Sequence, residues 1–531
     1  MTCRDYHDRT KRVLNLLIIV QLLAGRMVYA AQDTDQAEFE KKLASVVPSD
    51  RQYNWQRKYD VYAFIHFGPN TFTGREWGTG KEDPNVFNPT ALDARQWAKA
   101  LKSAGMTMAI ITVKHHDGFC LWPSRYTEQS VKNSLWKNGK GDVVREFVDA
   151  VRAEGIDIGV YLSPADLFQI ESVTGYYGDR SEYVNSVIPT DPASFKSDPT
   201  KARSADVTYS CKVDDYNRYF LNQLYELLTE YGPISSVWFD GATPKSKGGQ
   251  RYAYTAWYEL IRKLQPNAVI TVKGPDVRWV GNENGIARET EWSVIGMDRP
   301  LDEYQWPDMT GRILGDRATL ARAVELHWYP AEANVSILPG WFYHNDRNIK
   351  SPERLMQLYE MSIGRNASFL VNIPPDKRGL FSDAEVASLK AFGELRQNQY
   401  GTNLAMGVTV TASSSLSDHS PSDALDGKYE TYWEAATKSS ADGPVTLDIT
   451  LPRLVTYRHI VLQEQIRRGQ RVEAFTIEAE QPDGTWKELT KATTIGYKRI
   501  LTVPESSATH LRIRFDKYRM APTIAEVQLF Y

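Results

Sequence analysis

The stretch Ser235-Ser-Val-Trp-Phe-Asp-Gly-Ala242, SSVWFDGA, ends a run of large apolar residues abruptly on an aspartate and a glycine. A carboxylate at the end of a buried strand is poorly solvated, so its placement needs a reason. Similar runs occur on both sides: VYAFIHFG from Val61, MTMAIITVKHH from Met106, IDIGVYLSP from Ile156, NAVITVKG from Asn267 and ASFLVNIPP from Ala367. They lack the alternation of a half-exposed strand and read as parallel strands covered on both faces. Helix-like segments lie between several of them. NPTALDARQWAKALKSAG predicts a helix capped by Asn88, with Pro89 at its first position and Gly105 as terminator. GDVVREFVDAVRAEG opens on Asp142, DDYNRYFLNQLYELLTEYG ends at Gly232-Pro233, and YTAWYELIRKLQP follows.

This order predicts an α/β fold, a (β/α)8-type barrel. A doubly wound sheet is the alternative, but no GxGxxG turn follows the first strand. Polar residues gather where the runs end: His66, His115-His116-Asp117, Tyr161, Ser163 and Asp240. In a barrel those ends share one face, where active sites lie. Asp240 is therefore expected at the rim of a common pocket.

After about residue 400 the pattern changes to short alternating runs, VTLDITL, HIVLQEQ, AFTIEAE, WKELTK, LRIRFDK and IAEVQLFY, with turns such as Pro482-Asp483-Gly484. They predict a smaller antiparallel β-sandwich. The expected domains are a signal peptide at 1–30, the barrel at 31–398 and the sandwich at 399–531. The segment from about 170 to 210, rich in Asp, Ser and Pro, is expected as a long loop over the pocket.

The N-terminus places Arg4, Arg9, Lys11 and Arg12 before VLNLLIIVQLLAG and then RMVYAAQ. A basic start, a short apolar core and small residues predict a signal peptide cut after Ala30, hence export to periplasm, cell surface or medium. The apolar run is short for a membrane anchor, and no other segment predicts a membrane span. The chain has 531 residues, a net charge of −3 and no long basic run, which disfavours nucleic acid as a partner. Cys120 and Cys211 are the only cysteines beyond residue 30, too few for a disulfide framework, and no zinc spacing occurs. Nothing in the sequence reads on oligomeric state.

Cleaving a glycosidic bond needs two carboxyl groups, one at the sugar's C1 and one to protonate the departing oxygen. Asp240 suits the first role, with Gly241 allowing close approach. The partner is expected in GPDVRWVGNENGIARETEWSV, which offers Glu283, Glu289 and Glu291; spacing alone does not choose among them. Trp279 and Trp292 could desolvate such an acid and keep it protonated. His115 and His116, read as neighbours on a strand, would point to opposite faces and so rarely chelate one ion; hydrogen bonds to sugar hydroxyls fit better. Glu76-Trp77-Gly78 joins a hydroxyl acceptor to a stacking ring, and Trp341-Phe342-Tyr343 suits either a ligand edge or the core.

In this order FIHFG, REWG, VKHHDGF, GVYLSP and VWFDGA resemble the motifs of α-L-fucosidases of glycoside hydrolase family 29. The resemblance covers about 55 to 390. It implies retaining hydrolysis through a covalent fucosyl-enzyme, with Asp240 as nucleophile and no cofactor or barrel metal. It implies a fucose pocket formed by His66, Glu76, Trp77, His115, His116, Tyr161, Trp238, Arg278 and Trp341. GPDVRWVGNE resembles the subgroup acting on α-1,3 and α-1,4 branches of glycans, in which Glu283 would be the acid/base; Glu291 is the second choice. A broader or α-1,2/1,6 range is the alternative within the class. An inactive fucose-binding lectin is the alternative outside it. The tail, through ALDGKYETYW and AEVQLFY, resembles discoidin-like or family 32 carbohydrate-binding modules. That resemblance implies a structural calcium near Asp423, Asp426 and Glu526. The module would bind sugar or simply buttress the barrel.

Overall fold

The computed structural model describes residues 36–531 apart from 179, 243, 245–248, 302–305 and 438–442. The expected signal peptide, 1–30, lies outside the described residues.

The apolar runs form parallel strands: β1 (Val61–Ile65), β2 (Met108–Lys114), β3 (Asp157–Leu162), β4 (Ser236–Phe239), β5 (Val269–Val272), β6 (Arg278–Trp279), β7 (Ala331–Ser336) and β8 (Ala367–Asn372). They make an 8-stranded sheet in the order β5-β4-β3-β2-β1-β8-β7-β6. A single parallel bridge, Thr271 to Val277, joins its two ends into a barrel. Alternation within each strand divides the side chains between two layers. Tyr62, Phe64, Met108, Ile110, Tyr161 and Trp238 fill the barrel interior. Val61, Ala63, Ile65, Ala109, Ile111, Val160, Val237 and Phe239 pack outward under the helices. Both layers exclude water, so the strands carry no hydrophilic face.

Helices α1 (Ala94–Ser103), α2 (Val143–Ala153), α3 (Asp215–Glu230), α4 (Tyr254–Leu264), α5 (Pro352–Ser362) and α6 (Asp383–Tyr400) lie outside. The cap of α1 is Asp93 rather than Asn88: its carboxylate accepts from the Arg95 amide at 2.9 Å, and residues 88–92 are not helical, with bends at Thr90 and Ala91. Asp142 caps α2 as expected, accepting from Arg145 N at 2.8 Å, a contact worth about 1 kcal/mol. Much of the 170–210 segment is irregular, 189–208 above all, but none of its described residues lines the cavity. Its Val184–Ile188 pairs antiparallel with Tyr209–Val213 beside α3, where the Arg218 guanidinium donates to Phe195 O at 2.9 Å.

The C-terminal part is an antiparallel sandwich. Strands β9 (Thr409–Ala412), β10 (Trp433–Glu434), β11 (Val445–Glu464), β12 (Val472–Glu480), β13 (Trp486–Ala492), β14 (Arg499–Tyr518) and β15 (Thr523–Phe530) enclose a separate core that includes Trp433, Leu447, Phe475 and Phe515. VTLDITL and HIVLQEQ belong to one strand, β11, which continues through register shifts at Thr450/Val455 and Tyr457/His459. Such shifts bend a strand so that it serves both layers.

Candidate active site

A cavity of about 310 Å³ opens at the C-terminal ends of the barrel strands. Trp238 faces the barrel interior, and the residue two further on continues that face just past the end of β4. Asp240 therefore projects into the cavity with its side chain 29% exposed. Its Oδ1 accepts from Ala242 N at 3.0 Å and its Oδ2 from the Tyr161 hydroxyl at 2.8 Å. Burial and the Asp240 charge push the Tyr161 phenol well above its ordinary range, so it stays a donor.

Three imidazoles line the same wall. His116 Nδ1 lies 2.7 Å from Ser163 Oγ, and that hydroxyl donates its only proton to Ala165 O at 2.6 Å. Ser163 must therefore accept from Nδ1–H, which leaves Nε2 of the neutral ring as an acceptor, 3.7 Å from Asp240 Oδ2. His66 Nδ1 donates to Asn372 Oδ1 at 2.8 Å; the Asn372 amide is oriented by donating to Ser336 Oγ and Trp341 O, both at 2.8 Å. Burial lowers His66 to about 3 and His115 well below its usual value, and lowers His116 as well. All three are neutral at pH 7 and suited to hydroxyl groups. His115 and His116 do not point to opposite faces: both rings line the cavity with centroids 4.1 Å apart. The strand ends at Lys114 after a register shift at Thr112/Lys114, so strand alternation no longer governs them.

Glu76 accepts from Trp341 N at 3.0 Å and pairs with His344 Nε2 at 2.6 Å, tying the loop after β1 to the loop after β7. Trp77 covers His116 at 4.3 Å and stays half exposed at the mouth. Trp238 stacks on Tyr161 at 5.2 Å and donates through Nε1 to Glu332 Oε1 at 2.9 Å. Tyr62 also donates to Glu332, whose carboxyl burial pushes up to about 7.

Glu283 lies across the loop after β6, in a turn held by Asn282, which accepts from Asn284 N at 3.0 Å and donates to Ile286 O at 2.9 Å. Burial raises its pKa, and the Asp240 and Glu76 charges push the same way, against a hydrogen bond with Trp341. The cavity thus holds one carboxylate fixed by two donors and one carboxyl biased toward its protonated form.

Glu291 and Arg278 do not line the cavity. Both are buried and pair with each other; Arg288 holds the other Glu291 oxygen at 3.1 Å, and Arg278 Nε donates to Tyr329 O at 2.9 Å. Separating such a pair costs about 3–5 kcal/mol, so neither turns toward a ligand cheaply. Glu289 pairs with Arg365 and Arg499, also away from the cavity. Of the two expected shielding tryptophans, Trp279 lines the cavity, its indole donating to Asn334 Oδ1 at 2.9 Å, while Trp292 packs beneath Arg519 at 3.6 Å. Phe64, Val272, Asn334 and Asp308 line the cavity without having been singled out in the sequence. The inward parity of Phe64 with Tyr62 could have flagged it; Asp308 lies in an irregular loop and carries no such signal. Among the described residues, no group of three or more His, Cys, Asp and Glu side chains is arranged to hold a metal.

The chain matches the α-L-fucosidase family over residues 27–399 and the F5/8 type C domain over 409–527. It is 37% identical to Alpha-L-fucosidase 1 of Arabidopsis thaliana over 493 residues, 91% of this chain and 87% of that one. Among solved structures, a family 29 glycoside hydrolase from an unknown rumen bacterium is 35% identical with a TM-score of 0.68, covering 92% of this chain and 77% of that one. A Ruminococcus gnavus GH29 fucosidase in complex with fucose is 29% identical with a TM-score of 0.75, covering 92% and 95%.

Proposed function

Because the chain belongs to the α-L-fucosidase family, we propose that it is an exo-acting, retaining α-L-fucosidase that removes terminal α-1,3- and α-1,4-linked L-fucose from glycans. The observation that carries the reading is the pair of unlike carboxyl groups, Asp240 and Glu283, on one cavity of monosaccharide size. Asp240 attacks C1 of the fucosyl unit. As the C1–O bond breaks, Glu283 gives its proton to the departing oxygen, leaving a fucosyl ester on Asp240. Water then attacks C1 while Glu283 takes back a proton; the ester bond breaks and Asp240 leaves as the carboxylate. His66, His115 and His116 accept from sugar hydroxyls, and Trp341 and Phe64 meet the apolar edge.

The linkage reading rests on the Gly281-Asn282-Glu283 loop. A larger cleft of about 1360 Å³ meets the cavity at Gly241 and offers the partly exposed Tyr252, Tyr254 and Tyr258 to the leaving oligosaccharide. We also propose export, on the N-terminal pattern, and a structural calcium in the sandwich. The calcium residues fit in part. Both Glu526 carboxylate oxygens are buried with no well-formed hydrogen bond, only the Gly427 and Lys428 amides nearby; that burial, and next the Asp426 charge, pushes the carboxyl up to about 7, while the Asp426 oxygens accept from Lys428 N and Thr431 Oγ1, both at 2.8 Å. Asp426 and Glu526 would hold the ion and cross-brace the loop. Asp423 instead closes a capping box on Ser420 N at 3.1 Å.

The test is hydrolysis of fucosylated oligosaccharides differing only in linkage, with the first-formed anomer read by NMR. Release of α-fucose from 1,3 and 1,4 branches is expected. First-formed β-fucose would refute retention, and preference for 1,2 or 1,6 linkages would refute the linkage. Fucose binding without turnover would leave a lectin.

A further inference from the structure

Most βα turns of this barrel carry an outer helix. The connection from β6 to β7, residues 280–330, has among its described residues only a hairpin, Val294–Met297 with Glu325–Trp328, and the short helix Arg317–Leu320. Yet this connection supplies Glu283 and Asp308 to the cavity. The sandwich packs where a helix would otherwise lie. Val294, Leu320 and Trp328 share an apolar cluster with Tyr429, Ile466 and Ala525.

The polar contacts fall on the backbone just downstream of Glu283. Gln470, fully buried, accepts from Ser293 N at 2.8 Å and donates to Glu291 O at 3.2 Å. Arg499, also buried, donates to Glu289 O at 2.6 Å and pairs with the Glu289 carboxylate. Arg519 covers Trp292 and donates to Gly315 O at 2.7 Å. With that peptide held, the Glu291 carboxylate reaches Arg278 on β6 and Arg288. Arg288 in turn donates to Met309 O and Gly311 O, both at 2.7 Å, beside Asp308. A continuous series of contacts therefore runs from the sandwich to both arms of the connection that face the cavity.

We propose that the sandwich positions the proton donor, with Gln470 and Arg499 as positioning residues that hold 289–293 so that Glu283 stays at the cavity. The inference rests on the reading of Glu283 as acid/base. Neither residue touches substrate. Their loss leaves buried backbone groups unsatisfied and frees the loop rather than altering the Asp240 side of the cavity.

The experiment compares kcat/KM for two aryl α-L-fucosides in the full chain. Phenyl fucoside needs its leaving oxygen protonated; 2-chloro-4-nitrophenyl fucoside needs little help. Gln470→Met and Arg499→Met should lose about tenfold or more on the first and stay within about twofold on the second. The basic limb of the pH profile should move to lower pH as the freed loop carries Glu283 away from the Asp240 and Glu76 charges and into fuller contact with water. Arg499→Lys, a milder change read by the same ratio, should recover part of the loss. Glu283→Ala is the reference. If it is selective between the substrates but the Gln470 and Arg499 variants lose equally on both, or on neither, the positioning role is wrong. If Glu283→Ala itself shows no selectivity, the acid/base reading fails and this proposal falls with it.

Discussion

The Asp240 carboxylate has both oxygens engaged, by the Ala242 amide and the Tyr161 hydroxyl, whereas Glu283 is an exposed residue on the cavity edge with two like charges, Asp240 and Glu76, near it. Different tasks follow from those surroundings. Asp240→Asn should lower kcat on any fucoside by on the order of 10³-fold or more, measured by steady-state release of the aryl alcohol. Glu283→Gln should abolish the basic limb of the kcat/KM profile on substrates with poor leaving groups, because the raised carboxyl that sets that limb is gone. Glu332 makes a separate prediction about stability. Its carboxyl is raised from 4.5 to about 7 in the fold, so the folded chain holds that proton more tightly than the unfolded one. The stability it contributes is full below pH 4.5 and is lost as pH rises toward 7. Glu332→Gln should flatten that decline; an unchanged difference in melting temperature between pH 5 and pH 7.5 would count against it. Asp240 was legible because an apolar run announces where a strand stops. Glu283 was chosen over Glu291 through resemblance alone. Arg278 shows the limit of adjacency: the sequence places it beside Trp279, but side chains of neighbouring strand residues diverge, and only Trp279 faces the cavity.

Between elements, the loops after β1 and β7 meet at Gly340. Its φ of 82° is left-handed, and a Cβ there would lie 2.5 Å from Glu76 Oε1. Gly340→Ala should therefore strain the turn by about 1 kcal/mol and displace Glu76, which holds the Trp341 amide. The expected result is a several-fold rise in KM with little change in kcat, plus a lower denaturation midpoint. An unchanged KM would show that Glu76 does not set the position of Trp341. The barrel strands could be read from periodicity, since each is short, apolar and bounded. The hairpin at 184–213 could not, because polar, partly exposed strands such as Tyr209–Val213 resemble loop in composition.

Across the whole molecule, the barrel and sandwich share ion pairs that no local pattern announces. Asp60 pairs with Lys498 and Arg317 with Glu473, the latter at 2.8 Å. The partners lie far apart in sequence, so their pairing left no trace in spacing. The sandwich also makes the calcium proposal testable: a chelator should lower the melting temperature by several degrees, added Ca²⁺ should restore it, and Glu526→Gln should remove the response. No effect of chelator on the wild-type protein would mean that the Asp426–Glu526 pair is stabilised by protonation alone.

The bridge between Thr271 and Val277 has a dynamic consequence. Elsewhere adjacent staves share at least two partnered residues, two between β6 and β7 and six between β7 and β8, but here the hoop is closed by one bridged pair; Val272, with φ at 67°, offers its amide to Val277 O at 2.9 Å, and Asp276 bonds to both backbone groups of Ile270. Deuterium should enter the amides of 271–278 well before those of β1 or β8, because unzipping this join exposes the least backbone. Since Val272 also borders the cavity proposed to take fucose, the bound sugar should slow that exchange, clasping the cylinder at its weakest stitch.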